Sequence, residues 1–580
     1  MGPTAVASPR VTSPAAELPD RTRFWALTLL AGWMAQAALR MAVSFQHAMP
    51  ILVPDESGYL LAARLISGGS PSDLSGRTFY QGGYSLLLAP VYWISDDPAT
   101  VYRLVLVINA LAGASLLVLA YLALRRMGLP RGRACLLAHV TALIPSAIYY
   151  SQFALTDAVL PVVVLGWLLL LHGWLGGGGR LHGVAASAAA AYAYSTHARG
   201  LIILVAHAGL LVVVALRRRG TIGRDVAAMA LVAALGAGAG WALNSWVRAE
   251  LYPGGVAPLG DWLTDRLTTL DGLAWTVSVA AGQLWHVIVA TWGLAGVGLL
   301  ALAATAFRRA APPADRLLAG VTLAAIAGVA VATSAALPGE GTVANHAYGR
   351  YLACFTPALV AAGLVVLTRA RTATAIRAAL GTAALTVVTA GIVWLHAGES
   401  LSRDFFGVFD FPEICFLTWD WDALNLWRAT VTATLLLALA TLVRATAGRR
   451  TGLIAVAAAC VAVELAITGV TVVKVSVPWG RILSFATDLA PAGLRPDDRV
   501  GVDYQGVHWR IWVSQAFAVR RKLVPVDPSR GHFLPADLSL VVVPWPAGAG
   551  IEGTWPAAPP GWRPVAGNQN QAGSWAAWRR

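Results

Sequence analysis

The sequence predicts an all-α polytopic membrane protein with about 13 transmembrane helices and a small C-terminal extracytoplasmic α/β domain. Three observations favour this fold class. Hydrophobic residues make up 57% of the 580 residues and charged residues only 12%, about half the charged fraction of a soluble domain. The mean hydropathy is +0.63. The apolar residues fall in runs of membrane-spanning length, and the 57 Gly and 31 Pro exclude a long coiled coil.

The net charge of +14 does not indicate a nucleic-acid-binding protein. Of the 43 basic residues only Lys474 and Lys522 are lysines, and the arginines form short clusters between apolar runs rather than one basic stripe. Clusters of this kind determine how spans are oriented in a membrane. The four cysteines lack the spacing of a zinc site or a disulfide framework, so we predict neither, and no residue is assigned as a metal ligand from spacing.

Composition divides the chain into three parts. Residues 1–22 are rich in Pro, Ser and Ala and are predicted to be a disordered cytoplasmic N-terminus. Residues 23–474 hold the predicted spans, and residues 475–580 change to short β-like runs broken by Gly, Pro and Asp, which predict the α/β domain. A shorter run at 273–284 is predicted to be a surface or re-entrant helix. The predicted spans are 23–43, 100–123, 134–150, 154–174, 183–197, 200–216, 225–247, 285–307, 316–337, 350–368, 376–396, 427–445 and 452–473.

Arginine placement predicts the orientation of these spans. With a cytoplasmic N-terminus, the inside segments hold 21 Arg, whereas the longer outside loops between the spans hold about nine. Because positive residues accumulate on the cytoplasmic side, we predict a multi-pass protein of the cell (plasma) membrane with its C-terminal domain outside. The long outside loops are then 44–99 (loop one), 248–284, 338–349 and 397–426. The last of these is acidic and aromatic and is a candidate cover for a site on this face.

Carboxylates and arginines gather on the predicted outside face. Asp55 and Glu56 lie in the first turn of a short amphipathic helix in loop one, and Asp157 lies at the outer edge of the fourth span. A carboxylate at that depth is costly unless it is solvated, paired or functional. Arg199 and Arg350 lie at the outer ends of later spans. Arginine suits phosphate and a carboxylate can deprotonate a hydroxyl group, so the pattern predicts group transfer from a lipid phosphate.

The order of these features resembles the GT-C class of integral-membrane glycosyltransferases. Within that class it is similar to the phospholipid-carrier-dependent group that includes protein O-mannosyltransferases and lipid A aminoarabinose transferases. The resemblance covers about residues 23–370, and the prolines that precede the Gly-Tyr turn of these families are missing here. The matching residues are Asp55-Glu56 with Tyr59 and Ala62-Ala63, Gly83-Tyr84, Asp157, Arg199-Gly200-Leu201, and Arg350-Tyr351 with Pro357.

The resemblance implies an inverting glycosyltransferase, either a hexosyl- or a pentosyltransferase. It would move a sugar from a polyprenyl-phosphate donor in the bilayer to an extracytoplasmic cell-wall glycan, lipid or protein. Asp55 would be the base, and Glu56 and Asp157 would orient the acceptor, tune the base or hold a divalent cation; no other cofactor is implied. The other implied residues are Arg199, Arg350, Tyr351 and His346 for the donor phosphate and Tyr59, Tyr80 and Tyr84 for the substrate.

Two other functions stay open from the sequence. One is a transporter or flippase of lipid-linked sugars, and the other is a polymerase or ligase of lipid-linked glycans. A transporter is expected to carry charged residues near the middle of the membrane, often in broken helices and repeated halves. Most apolar runs here lack such a charge and no repeat is visible, so an enzyme at the membrane interface is favoured.

Overall fold

The structure is a computed structural model, and its described part is mostly helical. The predicted disordered segment lies, apart from Thr22, outside the described residues. The described residues are 22–217, 222–447, 451–528, 534–570 and 573–580.

The helices follow one another with short connections. The first half of the chain contains α1 (Thr22–Ser44), α2 (Asp55–Ile66), α3 (Gly82–Leu88), α4 (Val91–Ile94), α5 (Pro98–Arg126), α6 (Arg131–Ala142), α7 (Pro145–Tyr149), α8 (Leu160–Leu175), α9 (Arg180–Thr196), α10 (Arg199–Arg217), α11 (Ile222–Leu251) and α12 (Leu259–Thr268). The second half contains α13 (Leu270–Ala290), α14 (Leu294–Phe307), α15 (Pro313–Ala336), α16 (Ala344–Ala347), α17 (Thr356–Arg369), α18 (Thr372–Ala397), α19 (Ser400–Arg403), α20 (Pro412–Thr418), α21 (Leu426–Thr446), α22 (Thr451–Thr471), α23 (Val477–Thr487) and α24 (Trp509–Ala518).

The predicted polytopic helical fold is confirmed. In the described part of the chain, ten helices are long and apolar enough to cross a membrane, or up to eleven if a bent pair that includes α6 and α7 forms one span. The predicted number of 13 spans is not confirmed. Part of the difference comes from runs that are continuous in the sequence but broken in the structure.

The predicted span 285–307 is divided between two helices. α13 ends before Trp292 and α14 begins after Gly293, because these two residues have positive φ angles of 50° and 85° that a right-handed helix cannot contain. α13 starts well before the predicted span and includes the run 273–284. The structure therefore replaces the predicted surface or re-entrant segment with part of a 21-residue apolar helix.

The predicted span 134–150 is also broken. α6 and the segment that begins with α7 are inclined at 63° to each other. The bend precedes Pro145, and Ile144 has φ −44° and ψ 124°. A residue before proline is pushed out of the helical region by the proline ring, which accounts for the break.

Two glycines let α14 and α17 cross closely. A Cβ atom on Gly298 would lie 1.9 Å from the carbonyl oxygen of Leu359, and one on Gly363 would lie 2.1 Å from that of Leu294. Small residues at a crossing allow two membrane helices to bring their backbones into contact. α17 is the helix that follows the segment carrying Arg350.

The C-terminal residues form the predicted α/β domain. Its sheet has the order β2-β1-β3-β5-β4, with β1 parallel to β2 and β3, and with β5 antiparallel to β3 and β4. α24 connects β1 to β2. Helical structure continues past the predicted boundary at 475 to the end of α23. The strands are β1 (Val500–Val502), β2 (Val524–Pro525), β3 (Leu540–Pro544), β4 (Arg563–Asn570) and β5 (Gly573–Arg579).

This domain packs directly against loop one. The buried guanidinium of Arg64, in the last turn of α2, donates to the carbonyl oxygens of Ala516 at 3.0 Å and Val519 at 2.5 Å, and to the hydroxyl of Ser72 at 2.7 Å. The end of α24 therefore holds the helix that begins at Asp55.

We expect Gly298→Ala to destabilise the bundle. The new methyl group would overlap the Leu359 carbonyl oxygen, and overpacking of this kind costs about 1–3 kcal/mol. Gly209 on α10 is the matched control, because a Cβ atom there meets nothing within 4 Å. Gly209→Ala should be neutral or slightly stabilising. The measurement is the apparent melting temperature in detergent, and equal values for the two variants would contradict the close crossing.

Candidate active site

Two arginines and two aspartates form a continuous chain of ion pairs at the face of the bundle that carries loop one. Arg199 Nη2 lies 2.8 Å from Asp157 Oδ1, and Arg350 Nε lies 2.9 Å from Asp157 Oδ2. Arg350 Nη1 then lies 2.9 Å from Asp55 Oδ2. The structure thus brings together four of the residues that the sequence predicts for the site.

Each residue of this chain lies where a helix or a turn begins. Asp55 is the first residue of α2, and Arg199 is the first residue of α10. Asp157 lies in a 3-10 turn before α8, and Arg350 lies in a 3-10 turn before α17. Because these helix ends and turns lie on the same face of the bundle, residues almost 300 positions apart in sequence (55 and 350) become neighbours.

The ion-pair chain runs from the protein interior to its surface. The side chains of Arg199 and Asp157 are 1% and 3% exposed, that of Arg350 is 11% exposed, and that of Asp55 is 32% exposed. Arg199 is also held by the carbonyl oxygens of residues 350 and 351. A ligand arriving from outside would therefore meet Asp55 and Arg350 first.

Tyrosines surround the exposed end of the chain. Tyr80 donates its hydroxyl to Asp55 Oδ1 at 2.8 Å, and Arg350 donates to the hydroxyl of Tyr348 at 3.0 Å. The Arg350 guanidinium also lies 5.4 Å from the ring centre of Tyr150. Tyr348 and Tyr150 were not among the predicted site residues, because nothing in their sequence spacing distinguishes them from other aromatic residues near span ends.

Tyr59 and Tyr84 are predicted substrate-binding residues whose side chains lie inside the protein. Tyr59 is 2% exposed and packs edge-on against the rings of Tyr80 and Tyr84, at 5.2 and 5.3 Å. Tyr84 is fully buried and donates its hydroxyl to Asn109 at 2.8 Å. Tyr59 therefore supports Tyr80, the tyrosine that contacts Asp55, and Tyr84 supports Tyr59.

Glu56 faces away from Asp55 and has no exposed surface. Its carboxylate accepts hydrogen bonds from the backbone N–H groups of residues 51, 52 and 154, at 2.7 to 2.8 Å, and from the hydroxyl of Tyr102 at 2.5 Å. Burial raises the pKa of Glu56, and the four hydrogen bonds oppose this shift. The residue joins loop one to the segment that precedes Asp157.

The other two predicted phosphate-binding residues occupy different positions. The ring of Tyr351 lies 5.8 Å from the Arg199 guanidinium. His346 instead points at the loop 397–426, where its Nε2 lies 3.1 Å from Asp404 Oδ2. His346 therefore ties the Arg350 segment to the neighbouring loop and makes no contact with the ion-pair chain.

The loop 397–426 lies beside the site and carries two further carboxyl groups, those of Asp410 and Glu413. The sequence analysis describes this loop only as acidic and aromatic. Phe405 exchanges backbone hydrogen bonds with residues 341 and 343, which fixes the loop to the Arg350 segment. Burial raises the pKa of Asp410 to about 7; Asp55 and Glu340 add to the shift, and Arg350 opposes it. Burial also raises the pKa of Glu413 to about 7.

A cavity of about 10 Å³, room for about one water molecule, borders the buried side of Asp157. Small and apolar residues make up most of its wall, and Asp157 and Tyr150 supply the polar part. The residues that line it are Ile144, Ser146, Ala147, Tyr150, Asp157, Pro161, Ala353, Thr356 and Pro357. The ion-pair chain therefore stands at the junction between loop one and an apolar space within the bundle.

The described residues contain no group of three or more His, Cys, Asp or Glu arranged to hold a metal ion. Asp55 and Asp157 direct carboxylate oxygens at arginines. The predicted divalent cation therefore has no ligand set in this part of the structure, and no step below depends on one.

The bundle, loop one and the C-terminal sheet together share their fold with two solved structures. These are ArnT from Cupriavidus metallidurans bound to undecaprenyl phosphate, with a TM-score of 0.54, and the same protein in the apo state, with a TM-score of 0.53. Each is 17% identical, and each match covers 96% of this chain and 97% or 98% of the other. The resemblance predicted from the sequence is thus confirmed for the fold. No family model and no curated protein matches the chain.

We expect Asp157→Asn to destabilise the protein strongly. The substitution removes the charge shared by Arg199 and Arg350, and an uncompensated buried charge costs about 3–5 kcal/mol. Glu399→Gln is the matched control, since it also breaks an arginine pair, with Arg403, but at a site where both side chains are more than 70% exposed. Thermal unfolding in detergent should show a large loss for the first variant and almost none for the second. Equal losses would show that Asp157 is not the centre of the chain.

Glu413 should make the protein less stable as the pH rises. Its folded-state pKa is about 7, above the usual 4.5, and its Oε1 has no hydrogen-bond partner among the described residues. The folded state holds the proton of Glu413 more tightly than the unfolded state does. The stability that this protonated group contributes is therefore complete below about pH 4.5. It is lost as the pH rises through about 7, roughly 3 kcal/mol in total.

Glu413→Gln imitates the protonated carboxyl, so it tests this sign. The variant should melt at a higher temperature than the parent protein at about pH 8.5 and at a similar temperature at about pH 5. The measurement is thermal unfolding at both pH values. A variant that keeps the full pH dependence of the parent would assign that dependence to another group.

Proposed function

We propose that this protein is a membrane glycosyltransferase that moves a sugar from a polyprenyl-phosphate donor to an acceptor hydroxyl group. The single observation that carries the proposal is the position of Arg350 between Asp55 and Asp157. It puts a phosphate-binding group and a candidate base within one hydrogen-bonded unit. We further propose that the loop-one face lies outside the cell membrane, as the arginine distribution predicts.

Arg350 and Arg199 supply the binding site for the donor phosphate. A guanidinium presents a planar fork of donors that matches phosphate oxygens. Arg350 is the more accessible of the two, at 11% exposure against 1%. The phosphate would take the place of the Asp55 carboxylate on Arg350 Nη1, while Asp157 continues to hold Arg350 through its Nε atom.

The cavity beside Asp157 is too small, at about 10 Å³, to hold an isoprenoid unit, but its wall of mostly Ala, Pro and Ile gives Asp157 an apolar neighbourhood. The ArnT structure with bound undecaprenyl phosphate has the same fold, which supports a donor of this chemical class. The isoprenoid chain would enter from the bilayer, and the sugar would face loop one.

Asp55 is the proposed base. Once the donor phosphate occupies Arg350, the Asp55 carboxylate keeps only the hydrogen bond from Tyr80. The acceptor oxygen then attacks the anomeric carbon, the bond from that carbon to the phosphate oxygen breaks, and the acceptor proton passes to Asp55. The polyprenyl phosphate leaves with one more negative charge, which the two arginines stabilise. One displacement inverts the anomeric configuration.

The remaining predicted residues have supporting positions in this proposal. Glu56 positions Asp55 by fixing the start of α2, Tyr351 packs beside Arg199, and His346 holds the loop 397–426. Tyr80 orients the base. The acceptor stays open among a cell-wall glycan, a lipid and a protein, and the transferred sugar is either a hexose or a pentose.

A transporter or flippase of lipid-linked sugars is the second candidate. The observation that favours it is the pair of breaks in the bundle, between α6 and α7 and between α13 and α14, because broken helices are typical of transporters. A polymerase or ligase of lipid-linked glycans would use the donor chemistry above with a larger acceptor.

The test is sugar transfer by the purified protein from a panel of radiolabelled polyprenyl-phosphate sugars, with membranes of the source cell as acceptors. We expect Asp55→Asn to lower kcat by about 100- to 10,000-fold, the contribution of a general base. Arg350→Lys keeps the charge but loses the fork of donors, so the KM for the donor should rise as well.

Asp96→Asn is the matched control, because Asp96 also lies in loop one and pairs with an arginine but is 65% exposed. This variant should transfer sugar at the parent rate. The opposite result would favour the flippase. In that case the parent protein transfers no sugar but moves labelled lipid-linked sugar across vesicle membranes, and Asp55→Asn moves it equally fast.

A further inference from the structure

A second cavity lies within the bundle where the two helix breaks meet. Its volume is about 10 Å³, room for about one water molecule or one small ion. The breaks at Pro145 and at Trp292 both border it, and so does one acidic side chain, Glu464 of α22. The residues that line the cavity are Ile144, Pro145, Ala290, Thr291, Trp292, Leu294, Val360 and Glu464.

Glu464 is an ionisable residue inside a membrane-spanning helix. It lies 13 positions after Thr451, about 20 Å along the helix axis at 1.5 Å per residue. The residue is 3% exposed, its Oε2 has no hydrogen-bond partner, and no ion pair to it occurs in the described part of the chain. Such a residue is expensive in a membrane and usually serves a function.

No basic side chain is among the described residues that line the cavity around Glu464. α13 ends at Ala290, and α14 begins at Leu294; both residues line the cavity. The partial negative charge of the first helix end and the partial positive charge of the second act on the cavity together. The full charge of an ionised Glu464 is therefore left without a positively charged side chain as partner within this lining.

The backbone at the α13 break is held in an uncommon conformation. Trp292 has φ of 50°, a region that residues other than glycine rarely adopt. Its indole Nε1–H is buried without a hydrogen-bond partner among the described residues. Strain of this kind persists at sites where surrounding groups require it. The two unpartnered groups, a donor and a carboxylate oxygen, belong to residues that border the same small cavity.

We propose that Glu464, the end of α13 and the cavity between them bind one small monovalent cation, either Na⁺ or a proton carried by the carboxyl group and a water molecule. Either occupant neutralises the carboxylate. Water bound beside it would accept from the Trp292 indole. The proposal is independent of the glycosyltransferase reaction, because none of its residues belongs to the ion-pair chain.

The site adjoins the cavity beside Asp157. Ile144, at the bend between α6 and α7, lines both this cavity and the one beside Asp157. Among the titratable side chains of the described residues, only Glu464 lines the second cavity, and Cys460 lies one turn earlier on α22. α6, α7, α13, α14 and α17 contribute no titratable residue to its wall.

The experiment is labelling of the purified full-length protein with the apolar reagent dicyclohexylcarbodiimide, which modifies protonated carboxyl groups in apolar surroundings. Mass spectrometry of peptides gives the rate of labelling at Glu464. Glu413, a buried carboxyl outside the spans, serves as the internal control. Labelling is followed with NaCl or choline chloride at equal ionic strength and over a range of pH. The parent protein is compared with Glu464→Gln and Glu464→Asp.

We expect labelling at Glu464 and none in Glu464→Gln. If Na⁺ is the ligand, a Na⁺ concentration ten times its Kd slows labelling about tenfold and raises the melting temperature of the parent but not of Glu464→Gln. If the ligand is a proton, labelling falls as the pH rises and Na⁺ has no effect. Absence of labelling at every pH, together with no effect of Na⁺ on the melting temperature of the parent, would overturn the proposal. If Glu464→Gln does not fold, the same labelling and melting measurements on the parent protein and on Glu464→Asp distinguish these outcomes.

Discussion

The candidate site depends on one shared guanidinium. Arg350 holds Asp157 through Nε and Asp55 through Nη1, both at 2.9 Å. Through these two contacts it joins loop one, the start of α8 and the start of α17. Paired charges tolerate burial only when each has its partner, so the three segments must keep their relative positions. The close crossing of α14 with α17 helps to fix the start of α17, and the docking of α24 on α2 helps to fix loop one.

Most of the helical fold and the composition of the site could be predicted from the sequence, for different physical reasons. Runs of apolar residues predict membrane helices because the bilayer demands them, and the arginine asymmetry assigns Asp55, Asp157, Arg199 and Arg350 to one face. What the pattern could not predict is side-chain direction. Asp55 and Glu56 are adjacent and chemically alike, yet one pairs with Arg350 and the other is enclosed by four donors.

The break at Trp292 could not be predicted from the sequence for a related reason, whereas Pro145 is a sequence signal for the other break that hydropathy does not record. Hydropathy averages over a window, so an apolar residue with positive φ, such as Trp292, leaves no trace in it. The same averaging conceals Glu464, because one carboxylate in a run of Ala, Val and Ile hardly changes the mean. Its importance becomes visible only when the structure places two helix breaks around it.

Under the proposed function, the ion-pair chain also accounts for a phosphate site that remains stable before the phosphate arrives. Two arginines without partners at the edge of a bilayer would repel each other and lose hydration. Two aspartates balance them, and the more exposed aspartate, Asp55, can be displaced at the lowest cost because water can still solvate it at 32% exposure. In the proposed reaction, phosphate binding and release of the base would then be the same event. The Asp55 carboxylate would be freed for proton transfer only when a donor is present.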